Sequence, residues 1–138
     1  MSSIYSLRGR VDSGSQKRLI IDDGRFNHAM KVESFVVWPA NPNAVEDPKC
    51  VLSLSDNTVT SADASDTNQI GWSKAADATT IYSGYSILDP NHLVVRDLYI
   101  TNLDVNDEAN YLVILKPMEI SDDRAIMALI KERSQDDL

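Results

Sequence analysis

Residues 93–120 read LVVRDLYITNLDVNDEANYLVILKPMEI, and this stretch decides the fold class. Two segments rich in Val, Ile, Leu and Tyr, Leu93 to Thr101 and Tyr111 to Ile120, flank the acidic run from Asn102 to Asn110. Such segments, bounded by polar turn residues, are typical of β-strands. Because each alternates and the run between them is short, we predict that the two strands pair with each other.

Similar short apolar segments lie upstream, separated by turn-forming residues. The first, Ile4 to Val11, ends at the turn signal Asp12 to Ser15. The continuous apolar run Phe35 to Trp38 predicts a central strand that is covered on both faces. Val51 to Leu54 predicts a further strand, which turns back into a second one at Thr58 to Thr60.

The number and spacing of these segments predict a mainly-β fold. About eight short strands are expected, and the sequence between them lacks helical crossovers. We therefore predict an antiparallel β-sandwich, jelly-roll-like in character, over residues 1–120. Residues 121–138 belong to the same single domain, because a chain of 138 residues has room for one hydrophobic core.

Residues 121–138 differ in pattern and predict one C-terminal α-helix. Ser121 is followed by two aspartates, which is typical of a helix N-terminus, since serine caps it and acids complement the helix dipole. Ile126, Leu129 and Ile130 then follow at helical spacing and form one apolar stripe. The stripe either covers an open face of the sandwich, the interpretation we favour, or docks on a neighbouring subunit as an assembly helix.

The charge balance argues against a nucleic-acid partner. The chain carries 13 Lys and Arg against 21 Asp and Glu, a net charge of −8. Binding of a phosphate backbone depends on clustered cations, and the densest cluster here is Lys17-Arg18 with Arg8 and Arg10 nearby. If residues 4–11 form a strand, Arg8 and Arg10 share one face, where they would discourage edge-to-edge pairing with other sheets.

The sequence also predicts no membrane partner and no disulfide. Met1 to Tyr5 lacks the basic and apolar regions of a signal peptide, and no apolar run approaches the roughly 20 residues that span a bilayer. Cys50 is the only cysteine, and its place in an apolar run predicts a buried, inert thiol. We expect a reducing aqueous compartment, or a particle assembled there.

No combination of residues in the sequence points to catalysis. His28 and His92 are the only histidines, and each lies beside turn-forming residues. Cys50 pairs with either of them only if folding brings the two together. Two isolated histidines and one cysteine lack the paired spacing of a zinc site. We therefore predict that the protein is not an enzyme and has no catalytic residues, no cofactor and no resident metal.

Two binding alternatives remain open. Loop acids cluster at Asp104, Asp107 and Glu108, and again at Asp63 and Asp66. Carboxylate clusters of this kind bind calcium in some loops, but the glycine and closing glutamate of an EF-hand are missing, and solvated acids are the favoured interpretation.

Carbohydrate recognition would use an exposed aromatic platform. Trp38, Trp72, Tyr82 and Tyr85 are the candidates. We expect Trp38 to pack in the core or at its rim, because it ends an apolar strand. Trp72 lies between Gly71 and polar residues, so it is the one that we expect near solvent.

The last third of the chain resembles a family of small virion proteins. The residues that carry the resemblance are Asp97-Leu98-Tyr99-Ile100, then Asn110 to Leu115, and the ending from Glu119 to Asp136. These segments are similar to the C-terminal part of virion-associated proteins of tailed bacteriophages, marine and cyanobacterial ones especially.

The resemblance implies a many-copy component of a virion with no active site. The expected role is a capsid decoration (cement) protein, with a neck or tail component as an alternative. It implies capsid protein or other virion proteins as partners, a homo-oligomer with a trimer favoured, and location in the virion after assembly in the host cytoplasm. A carbohydrate-binding β-sandwich module is the alternative of a different class.

Overall fold

A computed structural model of the chain describes residues 5–19, 28–40, 48–75, 84–92, 94 and 97–119. These residues are mainly β and contain no helix, and all their strand pairings are antiparallel. The eight strands are β1 (Tyr5–Val11), β2 (Gln16–Leu19), β3 (His28–Pro39), β4 (Lys49–Ser53), β5 (Gln69–Lys74), β6 (Tyr85–Leu88), β7 (Leu98–Asn102) and β8 (Ala109–Glu119).

The strands form two sheets around a shared core. The smaller sheet has the order β1-β8-β3, and the larger has the order β2-β7-β4-β5-β6. One buried cluster draws residues from both sheets, including Phe35 and Val113 of the smaller and Leu52 and Ile100 of the larger. This arrangement is sandwich-like and confirms the mainly-β, two-sheet part of the prediction.

The centre of the core depends on one glycine. Phe35 and Leu52 are fully buried, with relative exposures of 0%. A Cβ atom on Gly71 would lie 2.9 Å from Leu88 Cδ2 and 3.4 Å from Phe35 Cδ2. The absence of a side chain at Gly71 therefore lets β6 and the Phe35 ring approach the middle of the larger sheet.

A β-bulge in β3 changes which side chains face the core. Val32 pairs with Leu115 and Ser34 with Ile114, so Glu33 is the extra residue. Val32 is buried before the bulge, whereas Phe35 and Val37 are buried after it. The prediction of a central strand over Phe35 to Trp38 is wrong, since β3 lies at the edge of its sheet and exposes alternate residues.

The predicted pairing of Leu93–Thr101 with Tyr111–Ile120 is also wrong. β7 pairs with β2 and β4, while β8 pairs with β1 and β3 in the other sheet. The connection between them crosses from sheet to sheet, and Asn102 stabilises it by donating from Nδ2 to the Asp107 carbonyl at 2.9 Å. The alternation of apolar and polar residues indicates that each strand has a buried face, but it does not indicate which strand lies beside it.

One predicted turn is confirmed, and one predicted strand is wrong. The turn at Asp12 to Ser15 is confirmed: Ser15 N donates to the Asp12 carbonyl at 3.2 Å, and Gly14 adopts a φ of 62° that favours glycine. The strand predicted at Thr58 to Thr60 is wrong, because β4 pairs with β5 and β7 and residues 54–68 form a loop.

The predicted C-terminal helix over 121–138, with its stripe of Ile126, Leu129 and Ile130, lies outside the described residues, and so does Tyr82.

Candidate functional site

The centre of the outward face of the larger sheet is buried. Val51 and Thr101 are paired neighbours and alternate with the core residues Leu52 and Ile100, so they point away from the core. They are nevertheless only 0% and 6% exposed. Ile87 on the edge strand β6 is 55% exposed, and the loop 54–68 is hydrogen-bonded to the sheet on both sides of Val51.

Two glutamines hold that loop in place. Gln16 Nε2 donates to the Asn57 carbonyl at 3.1 Å, and Gln69 Nε2 donates to the Ser61 carbonyl at 3.0 Å. Gln69 Oε1 also accepts from Trp72 Nε1 and from the Asp63 amide, both at 2.8 Å. The last residue of this loop, Asn68, is buried.

The outward face of the smaller sheet is the candidate functional site, which we call the outer face. Side chains directly opposite one another in an antiparallel pair share a face, so the strand register defines its rows. One row places Arg8, Leu112 and Val36 side by side, and the next places Arg10, Asn110 and Trp38. A third row places Ser6, Ile114 and Ser34 side by side, so the outer face consists of Ser6, Arg8, Arg10, Ser34, Val36, Trp38, Asn110, Leu112 and Ile114.

The outer face combines apolar and cationic groups. Val36 and Trp38 are 42% and 44% exposed, and Leu112 is partly exposed at the centre of the sheet. Both arginines are exposed on β1, and the Arg10 Nε donates to Asn110 Oδ1 at 3.2 Å. The prediction that Arg8 and Arg10 share one face is confirmed, and their positive charge stands out on a chain with a net charge of −8.

The neighbouring basic residues, Lys17 and Arg18, differ in their contacts. Arg18 forms an ion pair with Asp97, and the hydrogen bond to that carboxylate raises the pKa of Arg18. Lys17 Nζ lies 5.5 Å from the centroid of the Tyr111 ring, a cation–π contact, and donates to the Arg10 carbonyl at 3.4 Å. Lys17 therefore lies beside β1, whereas the charge of Arg18 is paired with an acid.

The environments of the two tryptophans are the reverse of those that we predicted. Trp38, which we expected to pack in the core or at its rim, is exposed on the outer face. Trp72, which we expected near solvent, is partly buried and donates to Gln69.

The apolar outward side of β8 could have been predicted from the sequence, because the unbroken run Tyr111 to Leu115 gives the strand two apolar faces. Only one of those faces can point into the core.

The loop acids accept hydrogen bonds from their own turns. Asp63 Oδ1 accepts from the Ser65 amide at 2.9 Å and from its hydroxyl at 2.6 Å, which lowers the pKa of Asp63. Asp66 Oδ1 accepts from the Asn68 amide at 3.0 Å. These contacts are Asx turns, in which the carboxylate stabilises the loop.

The second acidic cluster also forms an Asx turn, but Asp104 is buried, so the expectation of solvated acids is wrong for this residue. Asp104 Oδ1 accepts from the amides of Asn106 and Asp107 at 2.8 and 3.3 Å. Glu108 is exposed, and its carbonyl accepts from the Ala40 amide at 3.1 Å. Across the described ranges, no three His, Cys, Asp or Glu side chains converge as ligands for a metal ion.

His92 has a structural environment. It is 6% exposed, and its Nε2 accepts from the Val32 amide at 2.9 Å. Its Nδ1 contacts the Asp89 carbonyl, which can only accept, so the neutral ring carries its proton on Nδ1. Burial lowers the pKa of His92 and outweighs the hydrogen bond that its Nδ1–H donates to the Asp89 carbonyl, which acts in the opposite direction.

Cys50 is buried, as predicted, with a relative exposure of 0%. Burial, with a smaller contribution from the charge of Asp104, raises the pKa of the thiol to about 12. The thiol is therefore protonated at neutral pH and a weak nucleophile. The backbone of His28 pairs with Glu119 at the end of β3, and its side chain lies outside the described set.

In the part of the chain that the structure describes, no helix is long and apolar enough to cross a membrane.

Comparison with known proteins gives no assignment. No protein-family model matches the chain, and no curated protein matches it significantly.

Proposed function

We propose that the protein is a structural component of a tailed-phage virion, most specifically a capsid decoration (cement) protein that binds the shell and its own copies. The observation that carries this proposal is the outer face, an apolar and cationic sheet surface on an otherwise acidic protein. The resemblance of the last third of the chain to virion proteins of tailed phages supplies the biological context.

A surface of this composition favours a protein partner. Exposed aromatic and aliphatic side chains together with arginine are the groups enriched where proteins associate. The net charge of −8 disfavours contact with packaged DNA and suits a position outside the shell. In this role the two-sheet body acts as a rigid scaffold, and the protein has no catalytic activity.

The finer structural predictions are part of the same proposal. They comprise a jelly-roll-like strand arrangement, a C-terminal helix over residues 121–138 and a closed homo-oligomer, for which we favour a trimer. The virion is the proposed location, and neck or tail proteins are the alternative partners to capsid protein.

Co-sedimentation with particles tests the proposal. Purified protein is mixed with phage shells from which it is absent, and bound protein is quantified after sedimentation. We expect saturable binding that is lost in a Val36→Glu variant, because a carboxylate among the apolar groups of the outer face would disrupt the association of copies on the shell. The matched control is Val105→Glu, since Val105 is 76% exposed in a loop. No sedimentation of the wild-type protein with shells or whole virions would contradict the proposal.

The exposure of Trp38 also supports carbohydrate binding as a second candidate. Trp38 shares a row with Asn110 and Arg10, so an aromatic platform lies beside groups that hydrogen-bond hydroxyls. Glycan-array binding that is lost in Trp38→Ala and kept in Tyr85→Ala, an exposed aromatic on the other sheet, would favour this alternative. Absence of glycan binding by the wild-type protein would remove it.

A further inference from the structure

The two sheets differ in the exposure of their outward faces. Val51 and Thr101 at the centre of the larger sheet are 0% and 6% exposed, whereas Val36 and Trp38 of the smaller sheet are 42% and 44% exposed in the single chain. Exposed apolar side chains that are contiguous across a sheet usually mark a contact surface. The exposed apolar side chains of the larger sheet, Tyr85 and Ile87, lie on its edge strand β6, whereas those of the outer face adjoin Leu112 on the central strand β8.

We propose that the outer face binds the C-terminal segment, residues 121–138, of a second copy of the chain. This inference rests on the proposed function and deepens it, because it names the surface and the segment through which copies associate.

The dimensions of the outer face fit such a segment. From Ser34 to Trp38 the strand advances about 14 Å, and three strands span about 10 Å. A helix of three turns is about 16 Å long and about 10 Å wide. The predicted stripe of Ile126, Leu129 and Ile130 would place one apolar surface against Val36 and Leu112.

The charges of the two surfaces are complementary. The segment carries five acids and three bases (Asp122, Asp123, Glu132, Asp136 and Asp137 against Arg124, Lys131 and Arg133). The outer face carries Arg8 and Arg10 and no acidic side chain among its defining residues. Opposite charges around an apolar centre orient and accelerate association.

In the chain, the segment continues directly from the sheet that carries the outer face. It follows Glu119, the last residue of β8, which is the central strand of that sheet. Terminal elements that extend from one subunit onto an equivalent surface of the next form head-to-tail contacts, which close into a ring when the rotation between neighbours closes. A closed ring of three copies is the trimer that we favour.

Complementation between two defective variants tests the inference with full-length chains and no particles. Val36→Glu damages the outer face and leaves the segment intact, whereas Leu129→Asp damages the segment and leaves the face intact. We expect wild-type protein to be oligomeric in analytical ultracentrifugation, and each variant alone to dissociate at least about a hundredfold more readily. Mixed together, the two variants should form a one-to-one complex, because one intact face meets one intact segment.

Several results would overturn the inference. If the Val36→Glu variant oligomerises as the wild type and the control Val105→Glu do, the outer face is not the contact. A monomeric wild type, or folded variants that do not combine on mixing, would show that the segment stays on its own chain or elsewhere. If Leu129→Asp does not melt cooperatively, Leu129→Ala replaces it, with a weaker effect in the same direction. Because no particles are present, failure here leaves the co-sedimentation result unaffected.

Discussion

At the scale of single residues, His92 connects two parts of the chain that are distant in sequence. Its imidazole accepts from the Val32 amide in β3 and contacts the Asp89 carbonyl in the turn that precedes it. Protonation of Nε2 would remove the acceptor and place a charge at a site that is 6% exposed. The fold therefore requires the neutral ring.

This requirement predicts a pH dependence of stability. The pKa of His92 is lowered from its ordinary value of 6.5, so below that pH the unfolded chain binds the proton more readily than the folded one. The contribution of His92 to the free energy of unfolding is complete above about pH 6.5. It declines as the pH falls below that value, by at most about 1.4 kcal/mol per pH unit. Urea unfolding between pH 5.5 and 8 measures the slope.

A pair of histidine variants isolates the source of that slope. His92→Gln should lower the free energy of unfolding by about 1–3 kcal/mol at pH 8, through lost buried hydrogen bonds, and should flatten the slope. His28→Gln is the matched variant at the other histidine, and comparison of the two slopes separates the contributions of the two residues. An unchanged slope in His92→Gln would contradict the assignment.

Single residues also show where local sequence is informative. The burial of Cys50 was predictable, because it begins an apolar run that becomes a strand buried on both faces. The exposure of Trp38 was not, because the Glu33 bulge and the edge position of β3 determine which residues point outward. Neither the bulge nor the edge position has a local sequence pattern that would distinguish β3 from a regular central strand.

At the scale of elements, Gln69 links the loop 54–68 to the larger sheet. Its side chain is 5% exposed and hydrogen-bonds Trp72, Asp63 and Ser61. Its side chain thereby joins the loop at Ser61 and Asp63 to Trp72 in β5.

Replacement of Gln69 by Leu tests this role. The apolar side chain leaves the indole N–H of Trp72 and the Ser61 carbonyl without their partners, so we expect a loss of about 2–4 kcal/mol in the free energy of unfolding. Hydrogen exchange should accelerate within residues 54–68.

The matched control is Gln16→Leu, at an exposed site that holds the same loop from the other side. It should cost about 1 kcal/mol or less. Equal losses in the two variants would show that burial of Gln69 is not what stabilises the loop.

The partners of an element were harder to predict than its existence. The segments around Val51, Ile100 and Val113 were recognisable as strands, since β-branched and aromatic residues recur between turn signals. Their neighbours depend on how connections such as 103–108 cross between sheets, and a short polar connection serves a hairpin and a sheet-to-sheet crossing equally well.

At the scale of the whole molecule, both sheets contribute to one core. Phe35 of β3 lies against Gly71 of β5, and β3 contacts both β5 and β6 across the interface. Neither sheet can bury its inner face without the other, so we expect them to unfold together as a two-state unit.

The two tryptophans provide one probe for each sheet, since Trp38 lies in β3 and Trp72 in β5. Urea titrations of Trp38→Phe and Trp72→Phe, followed by the fluorescence of the remaining tryptophan, should each coincide with the transition seen by circular dichroism for that variant. Different midpoints for the fluorescence and dichroism of one variant would indicate that the sheets unfold independently.

The sequence by itself determined the fold class, the strand-forming segments, the turn at Gly14 and the burial of Cys50. These features follow from periodicity, turn chemistry and hydrophobicity, which act over a few residues. The tertiary structure alone decided the strand order, the partners of β7 and β8, and which tryptophan is exposed. The physical reason is that an alternating strand reports one buried side and one outward side. Whether the outward side is buried, as at Val51, or exposed, as at Val36, depends on segments far away in the chain.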